Sequence, residues 1–164
     1  MAKVYFGLGS NLGDRRANLA AAIEALGSHE VEIAARSPIY ETEPIGATEE
    51  PVPDYLNCVV SADTRLSPET LVDITQAIER SLGRHRTYHW GPRPIDIDLL
   101  LYGDVSLESD RLSLPHPRMR ERLFVLRPLA DLEPDFTLPT GERIVDLIAR
   151  PEIASQRISL LHDS

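Results

Sequence analysis

Lysine is almost missing from this chain: Lys3 is the sole one among 164 residues. That scarcity excludes most chemistry built on a lysine Schiff base, and it removes the lysine of a phosphate-cradling P-loop. Cysteine is as rare. Cys58 stands alone, so no disulfide can form within the chain, and a reducing compartment fits. Within "YLNCVV" it reads as a small buried hydrophobe. No apolar run approaches the roughly 20 residues of a membrane span. The N-terminus lacks the basic start and long apolar stretch of a secretory signal. A cytoplasmic protein is expected. Basic charge is in short supply too: the formal net charge is -9, which disfavours a general nucleic-acid binder.

What is present suits a globular fold. The chain is 42% hydrophobic and 26% charged, and its length fits one domain, 1–164, with a sizeable core. No repeat, low-complexity tract or linker divides it. Positive charge is concentrated in "ERSLGRHRTYHWGPR" (79–93), which holds four arginines and one glutamate. Such a stretch on an acidic protein either attracts a compact anion such as a nucleotide or is a solvated loop.

The pattern predicts strands at 3–9, 31–42, 55–63 and 95–102. Helices are predicted at 14–27, with Leu19, Ile23 and Leu26 at helical spacing and Gly27 as a stop, and at 67–83. The second helix has Ser67 as N-cap, Pro68 at the first helical position, Gly83 beyond the end, and an apolar stripe of Leu71, Ile74 and Ile78. The order β-α-β-β-α-β is the split, ferredoxin-like pattern of an α+β fold: an antiparallel sheet with helices on one face. Segments 119–132 and 142–150 read as additional C-terminal helical pieces that cover more of the sheet. Two proline-bearing loops, 43–54 and 84–94, are long enough to be functional.

Candidate chemistry centres on "GPRPIDIDLLLYG" (91–103), where Asp96 and Asp98 interrupt an otherwise buried strand. Alternation puts both carboxylates on one face, roughly 6–7 Å apart at the backbone. They can converge on hard cations such as magnesium, or form the wet face of an amphipathic strand. "GLGSNLG" (7–13) fits neither the dinucleotide fingerprint nor the P-loop and reads as a tight strand-to-helix turn. Tyr55 and Asn57 share a strand face, a ring beside an amide, which suits a flat heterocycle or an ordinary core. His116 sits between two prolines, with Arg118, Arg120 and Arg122 following. Phosphate contact and a structural role are both open there.

Six runs occur together in order: "GLGSNLGDR", "YETEP", "PDYLN", "LGRHR", "WGPRPIDIDLLLYG" and "LPHPRMRERLFVLRPLADLEP". Over residues 5 to about 134 the chain resembles the 6-hydroxymethyl-7,8-dihydropterin pyrophosphokinase family. The resemblance implies a ferredoxin-like fold and transfer of the diphosphate of ATP to the pterin hydroxymethyl group, releasing AMP, in folate biosynthesis. It implies two Mg2+ ions on Asp96 and Asp98. It places Gln76, Glu79, Leu99, Arg111 and Ser113 around the nucleotide, and Arg84, Arg93, His116 and Arg122 on or over its phosphates, with Arg84 and Arg93 also serving catalysis. Tyr55 and Phe124 would sandwich the pterin. Asn57 would read its polar edge with the turn Thr42, Glu43, Pro44 and Ile45, and Trp90 would exclude water above it. Loop 84–94 would close on bound nucleotide, bringing Arg84 and Arg86 onto the phosphates. The expected partners are the two small-molecule substrates, without nucleic acid or membrane, and the protein is expected to be a monomer. Two other classes stand beside this: a ferredoxin-like binding module without catalysis, against which the aspartate pair argues, and an interaction protein using its acidic surface.

Overall fold

Strand β1 (Ala2–Ser10) lies inside the sheet, hydrogen-bonded on both edges. The structure, a computed structural model, describes residues 1–43, 53–83 and 94–161. Antiparallel partners of β1 are β4 (Tyr55–Thr64) and β5 (Asp96–Tyr102). Beyond β4 lie β2 (Val31–Arg36) and β3 (Tyr40–Thr42), and β8 (Ile158–Leu160) pairs with β3. The order β5-β1-β4 with β2 and β3 outside is the ferredoxin-like arrangement the sequence predicts.

The single strand expected at 31–42 is two. Pro38 has no N–H to continue a ladder, so the chain jogs there. Ser37 secures the jog: its N–H donates to Val59 O at 2.8 Å, and its Oγ accepts from Val59 N at 2.9 Å. Consequently β2 pairs with one half of β4 and β3 with the other.

Helix α1 (Arg15–Gly27) follows an Asp14 N-cap whose carboxylate accepts from Ala17 N at 3.1 Å. Gly27 is its last residue rather than its stop, and Ser28 caps it. Leu19, Ala22, Ile23 and Leu26 recur at helical spacing and are buried. Helix α2 (Pro68–Ser81) has the predicted Ser67 cap, accepting from Thr70 N at 3.2 Å. Both helices pack on one sheet face, around Phe6, Leu8, Val60, Ile97 and Leu99.

The other face is covered as well, so the helices are not confined to one side. A 3-10 turn (Met119–Glu121) leads into α3 (Leu123–Leu132), which packs over β4. Short helices α4 (Ile144–Ala149) and α5 (Pro151–Ala154) extend this layer. Leu126, Leu129, Ile144 and Leu147 meet Tyr5, Val59 and Leu100 in a second core. A small hairpin, β6 (Leu107–Glu108) and β7 (Ser113–Leu114), stands beside β5.

Candidate active site

Burial alternates along β5. Ile95, Ile97 and Leu99 enter the core under α1 and α2, so Asp96 and Asp98 turn toward the α3 side. Asp98 is exposed and Asp96 half-buried. The register places Asp96 opposite Gly9 on β1, and Gly9 opposite Asn57 on β4. Three strands thus present a carboxylate, a bare backbone and an amide in one row. Neighbouring strands lie about 4.8 Å apart, so the two side chains stand roughly 10 Å apart at the backbone.

Gly9 has to be small. A Cβ there would lie 2.7 Å from Asn57 Oδ1 and 3.3 Å from Tyr55 Cδ1. Gly7 and Gly9 therefore belong to the surface of the strand predicted at 3–9, and only the later part of "GLGSNLG" is turn. The turn begins only after Ser10, where Gly13 has φ 72°. Asn57 is buried, and its Nδ2 donates to the buried Thr42 Oγ1 at 2.6 Å. That bond leaves Oδ1 over Gly9 as an acceptor for a ligand N–H. Half-buried Tyr55 shares the Asn57 face.

From the α3 side come Arg122, at the start of the helix, and Phe124 in its first turn. The Arg122 guanidinium lies 5.5 Å from the Phe124 ring centroid. Burial lowers the Arg122 pKa, while Asp98 and Asp96 pull it back up. His116 lies beside the same carboxylate. Burial pushes its pKa below the ordinary value, Asp98 opposes this, and Arg122 and Arg118 reinforce it. His116 Nδ1 accepts from Arg118 N at 3.2 Å, so the proton of the neutral ring sits on Nε2. Its backbone N–H holds Leu100 O on β5 at 2.9 Å.

Along β5, on the side away from β1, runs a cleft of about 410 Å³. Its α2 wall is Val72, Thr75, Gln76 and Glu79, spaced i, i+3, i+4, i+7 on one helix face. Glu79 is buried, and its Oε2 accepts from Ile97 N at 2.9 Å, which satisfies a donor on the edge of β5 away from β1. The opposite wall is the β6–β7 hairpin from Ser109 to Ser113, with Arg111 paired to Asp73 of α2. Asp96, Asp98, His116 and Pro117 close the end.

The structure thus gathers Gln76, Glu79, Asp96, Asp98, Leu99, Arg111, Ser113 and His116 around one cleft. It places Tyr55 and Asn57 two strands away on the sheet and Thr42 three. Glu43 is exposed, with Arg157 at 3.8 Å. Pro44, Ile45, Arg84, Trp90 and Arg93 lie outside the described residues, as does loop 84–94 apart from Pro94. Residues that sequence reasoning missed are Gly9, Val72, Thr75 and the hairpin tip Ser109–Asp110. Their i, i+3, i+4, i+7 spacing with Gln76 and Glu79 along α2 could have found Val72 and Thr75.

A cleft ending in paired carboxylates, with a histidine and an arginine alongside, has the chemistry of a phosphoryl-transfer site. Residues 5–134 match the family described as 7,8-dihydro-6-hydroxymethylpterin-pyrophosphokinase, and the chain belongs to that family. A 2-amino-4-hydroxy-6-hydroxymethyldihydropteridine pyrophosphokinase of Pseudomonas aeruginosa is 44% identical over 148 residues, covering 90% of each chain. The enzyme of that name from Bacillus subtilis is 46% identical over 129 residues, 78% of this chain and 76% of its own. Among solved structures, a Plasmodium falciparum HPPK-DHPS A437G with STZ-DHP superposes with TM-score 0.69 at 15% identity. The match covers 89% of this chain and 44% of the Plasmodium chain. The present chain therefore spans less than half of that longer one, and at such identity the likeness is one of fold.

Proposed function

We propose that the chain transfers the diphosphate of ATP to the hydroxymethyl group of 6-hydroxymethyl-7,8-dihydropterin, giving the pterin diphosphate and AMP in tetrahydrofolate biosynthesis. The observation that carries this reading is the Asp96–Gly9–Asn57 row. It sets a heterocycle-reading amide and a phosphate-end carboxylate about one small substrate apart, with an unobstructed backbone between.

The nucleotide occupies the cleft between α2 and the hairpin. Leu99 offers backbone at the strand edge, and Gln76, Glu79, Arg111 and Ser113 line its walls. Its phosphates reach Asp96, Asp98 and His116 at the cleft's end. His116 donates from Nε2 to a phosphate oxygen, and Arg122 neutralises charge from the α3 side. Arg84 and Arg93 complete the cationic set. The pterin lies over Gly9 between Tyr55 and Phe124. Asn57 Oδ1 accepts from its ring edge, and the backbone of Thr42–Ile45 and the side chain of Trp90 enclose it.

Asp96 and Asp98 fit magnesium. They are two hard oxygen donors on one face, and Mg2+ is commonly held by one or two carboxylates plus substrate phosphates. Two Mg2+ bound there would offset phosphate charge and acidify the attacking hydroxyl. The chain's own part is positioning and charge, which supply most of the catalysis in phosphoryl transfer. No protein nucleophile is required, in keeping with a single lysine and a buried cysteine. The protein acts as one domain, a cytoplasmic monomer. Mass spectrometry of products from ATP, magnesium and the hydroxymethyl pterin tests the reading: AMP with pterin diphosphate is expected, and ADP with a pterin monophosphate would overturn it.

A further inference from the structure

The segment "SNLGDR" (10–15) has no part in the site so far, yet its side chains reach the pterin wall. Arg15 Nη1 donates to Glu41 Oε2 on β3 at 2.7 Å and to the carbonyl oxygen of Asp54 at 3.0 Å. Asn11 Nδ2 donates to the Pro53 carbonyl at 3.1 Å, and Asn11 is buried. Glu41 immediately precedes Thr42, and Asp54 immediately precedes Tyr55. One guanidinium therefore bridges β3 and β4 at the end where Thr42 pairs with Tyr55 and the ladder stops.

Arg15 is costly where it stands. It is the first residue of α1, and the first turn holds no acidic side chain. A helix N-terminus carries partial positive charge and disfavours a cation. Its ion pair is part-buried, unlike the exposed pair of Glu43 with Arg157. Arg15 thus reaches beyond its own helix, and its two acceptors lie beside the strand ends that carry Thr42 and Tyr55.

We infer that Arg15, assisted by Asn11, is a positioning residue for the pterin. It acts through Glu41 and the Asp54 carbonyl to hold Thr42 and Tyr55 at the separation that Asn57 needs. A relaxed β3–β4 end lets Thr42 withdraw from Asn57 Nδ2, and the amide then loses the orientation that aims Oδ1 over Gly9. The nucleotide cleft, built from α2, β5 and the hairpin, shares none of these contacts.

This inference rests on the pterin reading of the Tyr55–Asn57 face, and the experiment separates the two. Calorimetry would measure hydroxymethyl pterin binding in the presence of magnesium and α,β-methylene-ATP, and analogue binding alone, for wild type, Arg15→Met, Arg15→Lys and Glu41→Gln. Losing a charge-assisted bond is expected to weaken pterin binding roughly tenfold in Arg15→Met and less in Glu41→Gln. Arg15→Lys should recover part of the loss, and analogue binding should stay within about twofold throughout. Because removing a cation from a helix N-terminus does not weaken the helix, thermal unfolding should show α1 intact in Arg15→Met. Equal weakening of both ligands, or unchanged pterin binding in Arg15→Met and Glu41→Gln, would overturn the positioning role. Absence of pterin binding in wild type would instead overturn the reading beneath it.

Discussion

At the scale of single residues, two glycines on one strand face make opposite demands. A Cβ on Gly9 collides with Asn57 Oδ1 at 2.7 Å, an atom fixed by the bond to Thr42. A Cβ on Gly7 meets the tip of Leu100 at 3.4 Å, ordinary contact with a flexible side chain. Gly9→Ala should therefore weaken pterin binding about tenfold or more while analogue binding hardly changes, because a misplaced amide leaves ligand groups unpaired. Gly7→Ala should bind both ligands normally. Similar losses for the two alanines in calorimetry would show that the row does not discriminate. The carboxylates allow a sharper contrast. Asn at Asp96 or Asp98 keeps shape and removes charge, and Asp98 is exposed, so the fold should persist. Turnover should fall by about 100-fold or more in each if they hold the metal. Near-wild-type rates with magnesium in both variants would end that assignment.

At the scale of elements, legibility in the sequence followed length and punctuation. Helix α2 announced itself through its cap residues, and both α1 and α2 through apolar spacing that persists over three turns or more. Strand β5 showed its two faces because Ile95, Ile97 and Leu99 alternate with charge. The two-residue strands β6 and β7 and the three-residue β8 are too short for a period to register. Their pairing is set by the partners they meet after folding. The break between β2 and β3 was written in Pro38 but masked by β-favouring residues on both sides. Gly9 fell within the predicted first strand, but its part in the site went unseen, because what a strand glycine makes room for shows only once the cross-strand neighbour is known. The Ser67 cap offers a test at this scale. Ser67→Ala removes the acceptor for Thr70 N and should cost about 1 kcal/mol in urea unfolding. ATP-analogue affinity should change little, since Gln76 and Glu79 lie two or more turns away. A loss below a few tenths of a kcal/mol would show the cap to be replaceable by water.

At the scale of the whole molecule, the α3 layer is tied to the sheet by two tyrosines. Tyr5 on β1 donates its hydroxyl to Glu133 Oε1 at 3.0 Å, just past the end of α3, and Tyr40 on β3 donates to Asp131 in the last turn. Both rings are buried. Burial first, and the neighbouring carboxylate second, push each phenol up to about 12. An unfolded tyrosine titrates near 10. Between about pH 10 and 12 the native phenols thus keep protons that the unfolded chain has released, so stability falls as pH rises through that window and is fully present below it. Buried Cys58 adds to the same limb from a lower starting point, its thiol pushed up to about 12 by desolvation. Lys3 adds as well: its hydrogen bond to Glu133 raises its pKa. Lys3 is the only lysine, so no other ammonium side chain adds to that limb. Urea unfolding of wild type at about pH 8, 9.5 and 11 should show a steep alkaline decline. The double variant Tyr5→Phe, Tyr40→Phe should be less stable at pH 8, by about 1 kcal/mol per lost hydrogen bond, yet decline more gently toward pH 11. Curves for the two proteins that run parallel from pH 8 to 11 would mean that the tyrosine clamps are not what alkali releases.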